Sequence, residues 1–298
     1  MLGVLLSRDD KPMFLLHTGF LAMNTKTILG IIFLSLAMTG SGCYVTPETK
    51  PQPLTINQVI NNQPKANPQT LPSGFERREV AYADGRQVSW ILVTLKTDAW
   101  SWSLANDPSK PKTVSSWREL LKANLVINGS YFNEDYHPSG YYQEPNSSSS
   151  KPWPDQAAQK KPDSYSGLLK IRDGKLEISH LTDKPQTKPA KNEQALLTYP
   201  TLLANGQPLV KEDSKKYARR TILAQDAEGI TYLLITESGA LSLYEASQWL
   251  TDQPEKLQIA INLDGGPSTG LSYQKNDSSF EVPSAPIPNV VTATLTGQ

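Results

Sequence analysis

From residue 73 onward, apolar positions fall in short runs of about four to nine residues, broken by Asp-Gly, Asn-Gly or Pro-rich stretches. Runs of this length read as strands more readily than as helices. Residues 75–82 and 87–96 flank Asp84-Gly85, a pair that tolerates positive φ and so predicts a tight hairpin. Within 88–95 the apolar residues are nearly continuous, the pattern of a strand covered on both faces. A second hairpin is predicted across Asp173-Gly174, between residues 168–171 and 176–178. A third joins 221–225 to 230–236, and Asn205-Gly206 turns the chain after 201–203. Residues 125–127 and 259–263 are apolar strands running into Asn128-Gly129 and Asp264-Gly265-Gly266. Two helices are predicted. In 115–121, Ser116 and Glu119 stand at capping-box spacing; in 242–250, Leu243, Ala246 and Leu250 follow a helical period behind Ser242, with Glu245 three residues on. Polar, Pro- and Lys-rich stretches at 143–163 and 182–194 predict surface loops, the first a candidate lid. Strands dominate and the few helices lie between them. The expected fold is therefore α+β: one domain around a mixed, mainly antiparallel sheet with a few covering helices.

The amino-terminal part breaks this rhythm. Residues 28–38 form an uncharged apolar run of eleven, whereas a membrane-spanning helix needs about 20. The run fits the hydrophobic region of a secretory signal, with Lys26 as its charged flank. Small residues at 39–42 then precede Cys43, and the arrangement resembles a bacterial lipoprotein signal whose cysteine is lipidated. Gly40 stands where such signals usually carry Leu, and ordinary cleavage beside an incidental cysteine is the alternative. Met23 begins a signal of normal length, so residues 1–22 read as an over-extended start. Residues 43–72 are rich in Pro, Gln, Asn and Thr and bury too little to offset the entropy of ordering, which predicts a tether. The expected organisation is a signal segment over 1–42, a lipidated tether over 43–72 and a folded domain over 73–298. Several acyl chains on Cys43 would hold the domain to a membrane of the bacterial envelope, facing the periplasm or the surface.

Charge and composition narrow the partners. Twenty-nine basic and twenty-nine acidic residues cancel, leaving no global positive field for a nucleic acid. A single cysteine excludes an intramolecular disulfide framework and Cys-based metal clusters, and three histidines, His17, His137 and His180, argue against a multi-histidine centre. Candidate chemistry gathers at two strand ends, 126–132 and 260–268, where an apolar strand stops at a polar residue followed by glycine. Glycine there lets a ligand approach backbone N–H groups, although plain turns have the same composition. Gly266-Pro267-Ser268-Thr269-Gly270 also matches the G-x-S-x-G nucleophile elbow. That motif needs a helix after the serine and a later histidine. Here residues 271–273 alternate like a strand and no histidine follows His180, so the serine hydrolase reading fails.

Several motifs in order carry a wider resemblance. They are Ile127-Asn128-Gly129-Ser130-Tyr131-Phe132 with Pro138-x-Gly140, then Tyr199-Pro200-Thr201-Leu202-Leu203-Ala204-Asn205-Gly206, then Arg220-Thr221. The strand and helix over 232–250 and Asn262-Leu263-Asp264-Gly265-Gly266-x-Ser268 complete the set. Over about residues 75–295 the chain resembles the phosphodiester glycosidase family. Ser130 and Pro267 stand where the family often has glycine, and an arginine usual just before the last strand is absent near Ala285. The resemblance implies hydrolysis at an anomeric carbon, releasing a sugar from a phosphodiester or related glycan linkage. Such chemistry usually pairs a protonated carboxyl with a carboxylate. Asp264 is then the first candidate, as base, nucleophile or metal ligand, and Glu237 its partner. Arg220 would grip an anionic group, and Asn128 and Asn262 would bind sugar hydroxyls or simply pin turns. His137 is a candidate proton donor, and Tyr131 and Phe132 would stack on a sugar ring or belong to the core. Gly129, Gly265, Gly266 and Ser268 complete the candidate substrate-binding set. Asp264 with backbone carbonyls is an oxygen set that Ca²⁺ could use, although no loop of calcium-binding spacing is present. The rival is a non-catalytic glycan-binding lipoprotein, favoured by the absent arginine and opposed by Asp264, Asn128 and Arg220.

Overall fold

The structure is a computed structural model that describes residues 70–147, 149, 151–161 and 166–297. The predicted signal, Cys43 and the tether up to residue 69 lie outside the described residues. In chain order the strands are β1 (Phe75–Ala81), β2 (Gln87–Leu95), β3 (Trp100–Asn106), β4 (Leu125–Asn128), β5 (Tyr142–Gln143) and β6 (Gly167–Arg172). They continue with β7 (Lys175–His180), β8 (Gln194–Thr198), β9 (Thr201–Ala204), β10 (Gln207–Pro208) and β11 (Thr221–Gln225). The last are β12 (Thr231–Ser238), β13 (Ile259–Asn262), β14 (Leu271–Lys275), β15 (Ser278–Val282) and β16 (Asn289–Leu295). Three helices interrupt them: α1 (Val114–Leu121), α2 (Gln156–Gln159) and α3 (Leu243–Thr251).

These strands make three sheets. One has seven strands in the order β1-β2-β12-β11-β13-β9-β10, one has five in the order β15-β14-β4-β16-β3, and one has four in the order β5-β8-β6-β7. Every pairing among the described residues is antiparallel. The expected antiparallel pairing and small number of helices are present, while the α+β class and the single mixed sheet are corrected: the described residues are largely β, in three separate antiparallel sheets. Its hairpins run through two- to five-residue turns, and a parallel pair would need a crossover of a dozen residues or more.

The burial pattern explains the near-continuous apolar strands. Alternate residues point to opposite faces of a strand. Ile91 and Val93 of β2, Leu233 and Ile235 of β12, Leu125 and Ile127 of β4, and Leu169 and Ile171 of β6 all enter one central core to which the three sheets contribute. The intervening residues serve outer layers. Trp90, Leu92 and Leu234 pack under α3 with Ala246 and Leu250, and Trp90 stacks on Trp249 at 4.8 Å. Val126 and Val290 pack with Val114 and Trp117 of α1. Leu168 and Leu197 pack with Tyr141, against which Trp153 stands edge-on at 5.0 Å. Leu71, two residues before the expected start of the domain, also packs against the central core.

Helix ends follow the capping logic, with one shift. Ser242 and Glu245 form the predicted capping box of α3. α1 is instead capped three residues before Ser116, where Thr113 accepts from the Ser116 N–H, and Lys122 closes the helix in the left-handed region. The two predicted surface loops bind each other: Gln159, buried, donates to the Gln186 carbonyl at 2.9 Å and accepts from its N–H at 2.8 Å. The candidate lid is also tied to the five-stranded sheet, where Glu144 accepts from the Asn106 N–H at the end of β3 at 3.0 Å.

Candidate functional site

The two strand ends singled out by their sequence meet in space. β4 of the five-stranded sheet ends at Asn128, and β13 of the seven-stranded sheet ends at Asn262, two residues before Asp264. Asn128 is fully buried and joins the two sheets. Its Nδ2 donates to the Asp264 carbonyl at 2.7 Å, and its Oδ1 accepts from the Thr221 hydroxyl at 2.7 Å and the Gly270 N–H at 3.1 Å. The Asp264 N–H donates to the Gly129 carbonyl at 3.0 Å, and the Leu263 N–H to the Thr221 carbonyl at 2.9 Å. With its second Nδ2 proton on the Gly129 carbonyl at 3.4 Å, Asn128 pins the loop that carries Asp264 and has no capacity left for a sugar hydroxyl.

Asp264 sits at the centre. Burial pushes its carboxyl above the usual aspartate range, while the Ser268 hydroxyl and the Gly265 N–H, both donating to it, oppose that shift. The Gly265 bond is 2.8 Å. Ser268 is a buried hydroxyl that orients this carboxylate, at the end of a single 3₁₀ turn leading through Thr269-Gly270 into β14. No helix follows it, as the failed elbow motif requires.

Asn262 is also fully buried. Its Nδ2 donates to the Tyr131 hydroxyl at 2.6 Å and to the Tyr199 carbonyl at 3.3 Å, while its Oδ1 is buried without a partner. The Tyr199 carbonyl can only accept, so it fixes the amide orientation and makes the phenol oxygen an acceptor. Tyr131 is therefore a hydrogen-bonded member of the cluster, whereas Phe132 stacks on Tyr136 at 5.7 Å. Arg220 lies beside it. Burial lowers the Arg220 pKa, and nearby Tyr131 and Glu245 favour the cation. The guanidinium donates to the Leu241 carbonyl at 3.1 Å and the Lys216 carbonyl at 2.8 Å. Its Nη1 lies 3.5 Å from where a side chain on Gly265 would begin. Among the described residues this buried guanidinium hydrogen-bonds to neutral carbonyls and to no carboxylate.

Three expectations need correction. The glycines do not offer free N–H groups to a ligand: those of Gly129, Gly265 and Gly266 already donate to the Asn289 carbonyl, the Asp264 carboxylate and the Arg219 carbonyl. At two of them neighbouring atoms leave no room for a Cβ. At Gly129 it would overlap the Asn289 side chain at Oδ1, and at Gly265 it would lie 2.7 Å from the Arg219 carbonyl oxygen. Glu237 does not join Asp264. It faces β1, where Arg77 grips it through two bonds of 2.6 and 2.7 Å and Ser89 donates at 3.2 Å. His137 is exposed at the turn of a short hairpin, closed by bonds between its backbone and Asn133, and no described bond ties it to Asp264. Among the described residues no three His, Cys, Asp or Glu side chains converge as metal ligands, so Ca²⁺ at Asp264 would have to rely on carbonyls and water.

Sequence reasoning assigned no place in the site to three contributors. Thr221, Gly270 and Asn289 meet the site through bonds spanning 93, 142 and 159 residues. Polar residues at the edges of apolar strands are the available signal, and it does not say which edges meet.

A protein-family model described as phosphodiester glycosidase matches residues 121–294, more than half of the chain. No curated protein matches. Among solved structures, the chain is similar to the catalytic domain of zebrafish N-acetylglucosamine-1-phosphodiester alpha-N-acetylglucosaminidase, described as auto-inhibited by its pro-peptide. The identity is 17%, covering 74% of this chain and 82% of that one, with a TM-score of 0.52. A hypothetical protein from Synechocystis is 15% identical over 74% of this chain and 61% of its own, with a TM-score of 0.46. The zebrafish domain shares the fold, and the matched residues include both strand ends, Arg220 and Asp264: the chain belongs to the phosphodiester glycosidase family.

Proposed function

We propose that the protein is a cell-envelope hydrolase that releases a sugar from a phosphodiester at its anomeric carbon. The observation that carries this reading is Arg220, a buried cation that meets no carboxylate among the described residues, next to the loop of a half-buried aspartate in a chain of this family. Glycoside hydrolysis needs help for its leaving group, and an alcohol requires a proton. A phosphate monoester leaves readily as an anion, so a fixed cation can replace the second carboxyl. Asp264 then takes the proton of a water attacking the anomeric carbon, while the bond to the phosphate oxygen breaks and its electron pair leaves beside Arg220. The raised pKa of Asp264 suits a base, because a carboxylate of greater basicity accepts a proton more readily. The envelope setting rests on the signal-like segment and Cys43, which would tether the domain by lipid.

One observation favours a second reading, a glycan-binding lipoprotein without turnover. Glu237 is engaged by Arg77, so Asp264 is the one carboxylate in the described cluster. Sugar release from a panel of sugar 1-phosphodiesters and envelope glycans, with wild type beside Asp264→Asn, separates the two. The hydrolase reading expects release that falls at least about a thousandfold in the variant. Binding without release in wild type would support the second reading, and equal release by both proteins would mean another group acts as base.

A further inference from the structure

The described residues contain seven arginines, and their partners divide them sharply. Arg77 pairs with Glu237, Arg78 with Glu76 and Glu255, Arg86 with Asp84 and Glu245, and Arg172 with Glu193. Arg118 reaches Glu119 at 4.0 Å. The two consecutive arginines, Arg219 and Arg220, meet no carboxylate. Arg219 donates from Nε to the Thr236 carbonyl at 3.4 Å and from Nη1 to the Pro283 carbonyl at 3.3 Å, both long bonds, and its Nη2 is buried with no partner. Glu245, the carboxylate whose charge reaches Arg220, is itself bonded to Arg86 and to the Ser242 N–H.

Both arginines border the loop that carries Asp264. The Gly266 N–H donates to the Arg219 carbonyl at 2.9 Å, and Arg220 Nη1 runs alongside Gly265. The Arg219 side chain reaches Pro283, and the Ala285 N–H two residues on donates to the Pro267 carbonyl at 2.8 Å. Desolvation without a counter-ion is costly for a guanidinium, and it lowers the pKa of both side chains, Arg220 being buried and Arg219 half-buried. A phosphodiester brings one negative charge and would leave one of these cations uncompensated. A doubly substituted diphosphate brings two.

We propose that Arg219 is a second anion ligand beside Arg220, and that the site takes a sugar joined through a diphosphate rather than a single phosphate. The inference rests on reading Arg220 as the phosphate-binding cation. Calorimetric titration of the full chain at pH 7 with dimethyl phosphate and with P1,P2-dimethyl diphosphate tests it without requiring turnover. Wild type is expected to bind the diphosphate at least about tenfold more tightly. Arg219→Gln removes that preference while leaving dimethyl phosphate within about twofold, Arg219→Lys keeps part of it, and Arg220→Gln weakens both ligands. Melting curves establish that each variant is folded, and the Lys variant carries the test if the Gln variant is not. Equal wild-type affinities, or an Arg219→Gln variant that weakens both ligands alike, would overturn the inference alone. Failure of wild type to bind either anion would overturn the reading of Arg220 as well. Sugar diphosphates ending in a nucleoside or in a polyprenyl chain should show the same dependence on Arg219, and the tighter of the two identifies the second substituent.

Discussion

At the scale of single residues, Asp264 and Glu237 show how environment assigns the roles of two acids. Burial raises the folded pKa of Asp264 above its unfolded value near about 3.9. The stability linked to this group is therefore full below the unfolded pKa and is lost as pH rises through the folded one. Asp264→Asn, which cannot ionise, should melt higher than wild type at pH 7, and the difference should close below about pH 4. Activity should show the matching acid limb, rising with pH through a value above that of ordinary aspartate. Glu237 is held in a two-bonded ion pair that is only partly buried. Glu237→Gln should cost about 1 kcal/mol in urea unfolding while sugar release stays within about threefold of wild type. A thousandfold loss of release there would return Glu237 to the chemistry. The place of Asp264 at a strand end was legible because a polar residue closing an apolar strand is a local pattern. The pairing of Glu237 with Arg77 was not, because the two lie 160 residues apart in sequence.

At the scale of elements, local signals were reliable wherever a turn or cap dictates its own geometry. Asp84-Gly85, Asp173-Gly174 and Asn205-Gly206 each place a glycine at positive φ between paired strands, and the last two also place the preceding residue there. The capping box of α3 is another such signal. Ser242 there is fully buried and accepts from the Glu245 N–H at 3.1 Å. Ser242→Ala should cost about 1–2 kcal/mol, read as a melting temperature lower by about 2–8 °C, with substrate binding unchanged. β3, β8, β15 and β16 carried no comparable turn signal of their own. β3 reads WSWSLAN, with serines alternating against apolar residues, and its register comes from β16 some 190 residues later. α1 shows the limit of cap reading, since Thr113 and Ser116 are both competent caps and packing of Val114 into the core chose the first.

At the scale of the whole molecule, the last strand holds the architecture together. β16 lies between β4 and β3, and its Val291 and Ala293 enter the core shared by the three sheets. Asn289 at its start accepts the Gly129 N–H next to the site. Deleting residues 289–298 should abolish cooperative unfolding by circular dichroism and anion binding with it, because β4 would lose its neighbour and the core a wall. A truncated chain that still melts cooperatively would show that β14 and β4 suffice. The strand order β15-β14-β4-β16-β3 joins segments far apart in the chain, so this sheet forms only after long loops have closed.

The sequence alone determined which segments are strands covered on both faces, where the tight turns fall, and that polar residues with glycine close two core strands. These depend on backbone freedom and side-chain alternation over a few residues. It also carried the family, through motifs kept in order. Tertiary structure alone decided that the strands divide into three antiparallel sheets, that Asn128 joins two of them, that Arg77 occupies Glu237, and that Arg219 and Arg220 face no carboxylate among the described residues. The contacts of Asn128 with Thr221 and Asp264 and of Arg77 with Glu237 each span 90 residues or more. Hydrogen bonds and ion pairs are satisfied by whatever the folded chain brings within reach, and local composition does not contain that information.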